Sequence, residues 1–238
     1  MSPAEAASFR GRFGFAYLSF EGRPLAWQMR QISNRAEQRS GSHFVSDEMA
    51  KAFKDIIVYL KNFKPRLVKI TGDVKPLILY TDGACEEDLI TSGALLYDPD
   101  TGVSEFWGAE VPKGLRKEWK AAGVAHAVAQ SELYPVLVSL RTWRKVLKSR
   151  DVLHFIDNEG VRESLVSGNT RALANLRMLE STVTVATSLG IKFWHARIPS
   201  SSNPSDYFSR LSFFSYDQWP GAKKISPRLM TPLTRYES

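Results

Sequence analysis

Cysteine is nearly missing from this sequence: Cys85 stands alone among 238 residues. One thiol excludes an internal disulfide framework and a cysteine-rich zinc site, so a metal centre would need carboxylates or the four histidines. The same scarcity points to an intracellular home, cytoplasmic or nuclear, with a mitochondrial address left open. No run approaches about 18 consecutive apolar residues, and the N-terminus lacks the charged-then-apolar pattern of a signal peptide. The expectation is a soluble, unexported chain with no membrane partner. At 43% hydrophobic the chain can bury a real core, so disorder is not the default.

Acidic residues are in deficit, 25 against 32 basic ones, for a net charge of +7. A polyanionic partner is one reading of that surplus and a solvated, Lys/Arg-rich helical face is the other. The distribution is uneven. Residues 1–75 hold 13 Lys/Arg against 7 Asp/Glu, a balance of +6, and the remaining 19 against 18 leave +1. Arg10, Arg12, Arg23, Arg30, Arg35 and Arg39 in the basic third are candidate phosphate contacts.

The first third reads as all-helical. Ser2-Pro3-Ala4-Glu5 is a helix start, with Ser2 as N-cap and Glu5 closing a capping box. A second helix is expected over Ser46 to Phe63, with Met49, Phe53, Ile56, Ile57 and Leu60 as its apolar stripe, and a short one around Leu25 to Ile32. From Val74 the texture changes. Leu77–Tyr80, Ser92–Tyr97 and Ser104–Val111 are apolar runs of strand length with short links, which suggests an antiparallel meander. A long helix is expected from about Val124 to Leu147, kinked or split at Pro135. Then come a buried strand Val152–Ile156, helices Glu159–Val166 and Arg171–Leu189 with Gly190 as C-cap glycine, a strand Ile191–Ile198 and a short helix Asn203–Leu211. After Phe213 no period is visible, and that tail is expected to pack irregularly or fray. The order implies a mixed sheet, a three-stranded antiparallel meander plus two parallel strands, with helices on its faces.

Four carboxylates occupy telling places in this order. Asp82 follows the apolar run Leu77-Ile78-Leu79-Tyr80, and Asp157 ends the run Val152-Leu153-His154-Phe155-Ile156. If those strands are neighbours, the two acids stand side by side at one sheet edge. Glu132 lies in a helix whose apolar positions imply heavy burial, and a buried acid is costly without a partner. Asp206 opens the last helix. Clustered carboxylates raise one another's pKa, so such a set makes physical sense as a cage for hard divalent cations, Mg2+ with Mn2+ as substitute. Asp98, Asp100, Glu86, Glu87 and Asp88 read as solvated turn and loop acids, His195 as a packed residue, Cys85 as chemically idle and the six tryptophans as packing residues.

Strand-Asp-Gly, helix-Glu, strand-Asp-Asn and a terminal-helix Asp resemble the ribonuclease H family. The stretch Ser202-Asn203-Pro204-Ser205-Asp206-Tyr207-Phe208-Ser209-Arg210-Leu211 is similar to the ending of retrotransposon ribonuclease H domains, with Ser205 where Ala is usual. The resemblance covers roughly Lys75 to Leu211. Pro3 to Arg66 also resembles the helical thumb or connection region that precedes ribonuclease H in retroelement reverse transcriptases. The resulting division is 1–73 thumb- or connection-like, 74–213 ribonuclease H-like and 214–238 tail.

The resemblance implies a metal-dependent endonuclease that hydrolyses the RNA strand of RNA/DNA hybrids with two Mg2+ ions. Asp82 would bridge both ions, with Glu132, Asp157 and Asp206 completing the set. Gly83 and Ala84 would sense the RNA strand and Asn158 the paired strand; Arg12 and Arg30 are expected as further nucleic-acid contacts from the charge of the basic third. Polymerase fingers and palm domains, or a reverse transcriptase subunit, are the implied partners; these residues contain no counterpart of them, so DNA synthesis is not expected. A catalytically retired, domesticated retroelement module that binds nucleic acid or a protein assembly stays open as the alternative. One departure stands out: Ser200-Ser201-Ser202-Asn203 occupies the loop where cellular ribonucleases H carry a histidine, and no basic handle follows the long helix.

Overall fold

A computed structural model of the protein describes residues 1–17, 24–38, 45–63, 74–86, 89–121, 127–170, 173–213, 219 and 221–230. The chain divides into two compact units, one of Met1–Thr71 with Ser167–Asn169 and the other of Gly72–Val166 with Thr170–Ser238.

Three helices build the smaller unit. In α1 (Pro3–Tyr17) the capping box forms as expected: the Glu5 amide donates to Ser2 Oγ at 3.2 Å and the Ser2 amide to Glu5 Oε2 at 2.6 Å. Helix α2 (Ala26–Glu37) runs more than a turn beyond the expected Leu25–Ile32. In α3 (Asp47–Asn62) Ser46 caps the Met49 amide, and Asp47 and Glu48 sit at the positive end of the dipole. Its buried stripe is Met49, Ala52 and Ile56, whereas Ile57 and Leu60, expected inside, are exposed. Ile57 lies about 100° around the helix from Ile56, so both cannot face one narrow core. Ala6, Leu25, Met29, Ile32 and Ile56 close that core with Phe9, Phe13 and Phe53 around them.

The larger unit is a six-stranded mixed sheet in the order β5-β4-β1-β2-β3-β6. Strands β1 (Leu77–Glu86), β2 (Leu89–Tyr97) and β3 (Ser104–Glu110) form the antiparallel meander, and β4 (Asp151–Ile156) and β5 (Lys192–Arg197) add in parallel. This is the mixed sheet expected from the sequence, an antiparallel meander of three strands plus two parallel ones. Helices α4 (Lys113–Ala121), α5 (Val128–Thr142), α6 (Arg144–Leu147), α7 (Glu159–Ser167), α8 (Leu173–Ser188) and α9 (Ser205–Ser209) flank it, with a 3-10 turn at Ser200–Ser202. Gly190 (φ +65°) ends α8 as expected, and the two reversed backbone bonds of a Schellman turn form, Gly190 to Thr187 and Ile191 to Ala186, each 3.0 Å.

Four differences from the sequence reading have physical causes. Strand β1 does not stop at Tyr80 but runs through Asp82 to Glu86, because β2 pairs with it along its whole length from Ile78 to Glu86. Helix α4 carries no expectation from the sequence, since Gly114 and four cations disguise two buried positions, Leu115 and Trp119. Pro135 neither ends nor splits α5, whose C-cap is Trp143. The missing proline amide deprives the Ser131 carbonyl of its helical partner, and Ser92 Oγ on β2 lies 3.4 Å away as a substitute donor. The tail after Phe213 is only partly irregular: β6 (Lys223–Lys224) pairs with β3, and Met230 is buried with its amide donating to the Tyr134 hydroxyl at 3.1 Å.

Trp107, Trp119 and Trp143 are core residues as expected, but Trp194 on edge strand β5 is 73% exposed. Asp98 and Asp100 are not free in solvent; Arg150 stands 3.5 Å from each. Glu86 pairs with Arg210 at 3.2 Å, and Glu87 and Asp88 lie outside the described residues. No helix among the described residues is long and apolar enough to cross a membrane.

Candidate metal centre

Register places the first two acids. Strand β1 pairs with β4 from Leu77↔Val152 to Tyr80↔Phe155, and continuing that parallel register by two residues sets Asp157 beside Asp82. Neighbouring strands lie about 5 Å apart, so the two carboxylates stand side by side as the sequence predicts, with Asp157 at the end of β4 but Asp82 inside β1. Glu132 reaches them because α5 lies almost in contact with β1. A Cβ on Gly83 would meet the Ser131 carbonyl carbon and oxygen at 2.2 Å, so only glycine permits this approach. The result is a cluster in which ligand oxygens of Asp82, Glu132 and Asp157 all lie within 4.8 Å of one another.

Asp82 and Glu132 are buried and Asp157 is half-buried. Burial pushes Asp82 up to about 7; Asp157 and Asp206 add to the rise, and the Ser209 hydroxyl opposes it. Glu132 is pushed up to about 9, first by burial and then by Asp82 and Asp157, against a hydrogen bond from the Gly83 amide. Two oxygens of the clustered residues have nothing to bind: Glu132 Oε2 and Asp157 Oδ1 are buried with no hydrogen-bond partner. Buried acceptors left unpaired at a knot of like charge fit a hard divalent cation, which would supply both the missing coordination and the missing charge.

Asp206, the fourth expected ligand, stands outside this group of three. Its Oδ1 accepts from Arg210 Nε at 2.9 Å, and Ser209 ties it to the cluster, with Oγ reaching both the Asp82 carboxylate and, at 2.9 Å, the Asp206 carbonyl. Helix α9 owes its place to a second pair of glycines. Gly93 and Gly108 are register partners beside Asp82, and Cβ atoms there would meet Ser209 N at 2.4 Å and Phe208 O at 2.2 Å. Gly93→Ala is therefore expected to lift α9 off the sheet. The cost should be about 3 kcal/mol, which lowers the melting temperature by roughly 6–12 °C. Thermal unfolding by circular dichroism checks it, and an unchanged midpoint would contradict the close packing.

Serines and an asparagine that carry no expectation from the sequence hold the acids. Ser200 Oγ donates to Asp157 Oδ2 at 2.6 Å from the loop where a histidine is usual in the resembling family. Asn203, buried, donates from Nδ2 to the Thr81 carbonyl at 3.2 Å and accepts from Ser205, pinning the α9 loop to β1. The signal for Ser209 is its spacing, one helical turn after Asp206; Ser200 carries no such signal.

Gly83 and Ala84 lie within β1, half-buried beside the cluster. Asn158 caps α7, its Oδ1 accepting the Val161 amide at 3.1 Å. His195 is packed as expected: its Nδ1 lies 2.8 Å from that of His154, whose Nε2 is 2.8 Å from Thr81 Oγ1. Burial holds both imidazoles neutral, with His195 pushed down to about 4. Cys85 is a half-buried free thiol. In the smaller unit Arg12 is exposed and Arg30 half-buried, and Arg10 pairs with Glu37 at 3.4 Å. Arg35 is buried with its Nε on the Met1 carbonyl, a structural role instead of the expected phosphate contact. Arg23 and Arg39 lie outside the described residues.

No family model matches the chain, and no curated protein matches it either. Among solved structures it is similar to RNase H1 from the halophilic archaeon Halobacterium salinarum NRC-1, at 16% identity and a TM-score of 0.46, over 58% of this chain and 98% of that one. It is similar as well to the N-terminal RNase H domain of a Mycobacterium tuberculosis protein, solved as a fusion with maltose-binding protein. There the identity is 12% and the TM-score 0.41, over 60% of this chain and 96% of that one. LC11-RNase H1 in complex with RNA/DNA hybrid is similar at 14% identity and a TM-score of 0.41, over 59% of this chain and 98% of that chain.

Proposed function

We propose that the chain is a metal-dependent endonuclease that hydrolyses the RNA strand of RNA/DNA hybrids, as the ribonuclease H part of a retroelement reverse transcriptase. The observation that carries this reading is the knot of Asp82, Glu132 and Asp157 with two buried, partnerless oxygens. Two Mg2+ ions, or Mn2+ in their place, would supply Lewis-acid stabilisation of the attacking and leaving oxygens of a phosphodiester.

The chain's own residues then have distinct tasks. Asp82, Glu132 and Asp157 would hold the metal ions, and Asp206 would join once Arg210 yields its carboxylate. Ser209 and Ser200 fix the orientation of Asp82 and Asp157. Backbone groups of Gly83 and Ala84 face the minor groove, where a ribose 2'-hydroxyl distinguishes RNA from DNA. Asn158 touches the paired strand, and Arg12 and Arg30 of the helical residues 1–73, the thumb- or connection-like part, contact phosphates.

Incubation of the chain with a labelled RNA/DNA hybrid and Mg2+ tests the reading. The RNA strand should be cut, while double-stranded DNA of the same sequence stays whole. A chain that binds the hybrid but cuts nothing at any Mg2+ or Mn2+ concentration would instead be a retired nucleic-acid-binding module.

A further inference from the structure

The carboxylate cluster attracts cations but repels the phosphates of its own substrate, so the hybrid needs positive charge close by. Helix α4 supplies it. Lys113, Lys117 and Lys120 are all exposed and form no ion pair among the described residues. At spacings of four and three they fall within about 60° of one another around the helix. Leu115 and Trp119 occupy the opposite side and are buried in the main core, where Trp119 meets Tyr134 edge-on at 6.1 Å. The lysine face is therefore fixed outward by the packing of its reverse.

Register puts the start of that helix towards the carboxylate end of the sheet. Asp82 pairs with Gly93 and Gly93 with Gly108, so β3 runs parallel to β1 and leaves the sheet at the same edge. Two strand spacings, about 10 Å, separate the rows of Asp82 and Gly108. The helix opens at Lys113, three residues after the last residue of β3, Glu110. Arg116, on the flank of the helix, stands 3.7 Å from Glu110, and the three lysines are its charges without an ion pair among the described residues.

Resting on the reading of the chain as a hybrid nuclease, we propose that the Lys113, Lys117 and Lys120 face of α4 binds the phosphate backbone of the RNA/DNA hybrid beside the carboxylate cluster. It takes the place of a basic handle from the other side of the long helix, before α5 instead of after it.

The test is hybrid binding by fluorescence anisotropy across a salt series, for wild type and for Lys113→Gln/Lys117→Gln/Lys120→Gln. A matched variant, Arg144→Gln/Lys145→Gln/Lys148→Gln, removes three exposed charges at the opposite end of α5 and tests whether position or net charge matters. Both variants should melt like wild type, since none of the six side chains is buried. The α4 variant should bind on the order of 10- to 100-fold more weakly and lose about 2 to 3 from the slope of log K against log salt. Its binding of Mn2+, measured by calorimetry, should stay as in wild type. Equal losses in the two variants, or no loss in the α4 variant, overturn the proposal while leaving the nuclease reading intact. A wild type that binds no hybrid overturns both.

Discussion

Asp157→Asn is expected to lower hybrid cleavage by about three orders of magnitude or more and to leave the fold standing. The side chain is half-buried at the sheet edge, so an isosteric amide fits without a cavity or a clash. What changes is charge. One buried oxygen of Asp157 has no partner, and the other is held by Ser200. Replacing the carboxylate takes one negative charge out of a group of three and breaks the bracket around the cations. Metal-assisted stabilisation is worth several kcal/mol, and about 4 kcal/mol corresponds to a thousandfold in rate. Single-turnover cleavage of a labelled hybrid at saturating Mg2+ gives the rate, calorimetry gives the metal affinity, and a melt verifies folding. Cleavage within tenfold of wild type would remove Asp157 from the site, and equal rates in Asp82→Asn as well would point to a contaminating nuclease.

Much of this site is legible in the sequence, because the register of neighbouring strands imposes order on it. Short apolar runs ending in Asp82 and Asp157 predict two strands that present their acids together, and parallel pairing of β1 with β4 does so. Glu132 is legible for another reason, since an acid within a heavily buried helix must be compensated. Less visible are the contacts made by what is absent from a side chain. Gly83, Gly93 and Gly108 look like ordinary strand glycines until α5 and α9 lie on them. Pro135 predicts a kink or a split, and the helix runs on unsplit, with a neighbouring strand supplying the donor its ring lacks. Helix α4 is hidden by composition: two apolar positions in nine residues suffice when both are buried. The serines escape because their role is set by what stands opposite them, which the sequence does not number.

The metal-free protein is expected to lose stability as pH rises from 5 to 8, with Glu132 as the main cause. Its pKa is about 9 in the fold against 4.5 in the open chain, so between those values the folded form keeps a proton that the unfolded form gives up. A raised carboxyl pKa therefore contributes stability that is fully present below about 4.5 and disappears as pH climbs towards 9. The slope is about 1.4 kcal/mol for each pH unit, or roughly 3 kcal/mol of loss by pH 7. Glu132→Gln removes this titration while keeping the shape. In EDTA at pH 7 the variant should melt higher than wild type by roughly 6–12 °C, and the gap should shrink towards pH 5. His154 and His195 pull the other way, since both are held neutral by burial and protonate more readily in the unfolded chain. They are present in both proteins, so the difference between the two melts cancels them. Mg2+ should narrow the gap from the other direction: it favours the ionised carboxylates of wild type and expels their protons, so its stabilising effect grows with pH. A wild type whose metal-free melting point exceeds that of Glu132→Gln at pH 8 would show that Glu132 does not share a buried site with Asp82 and Asp157.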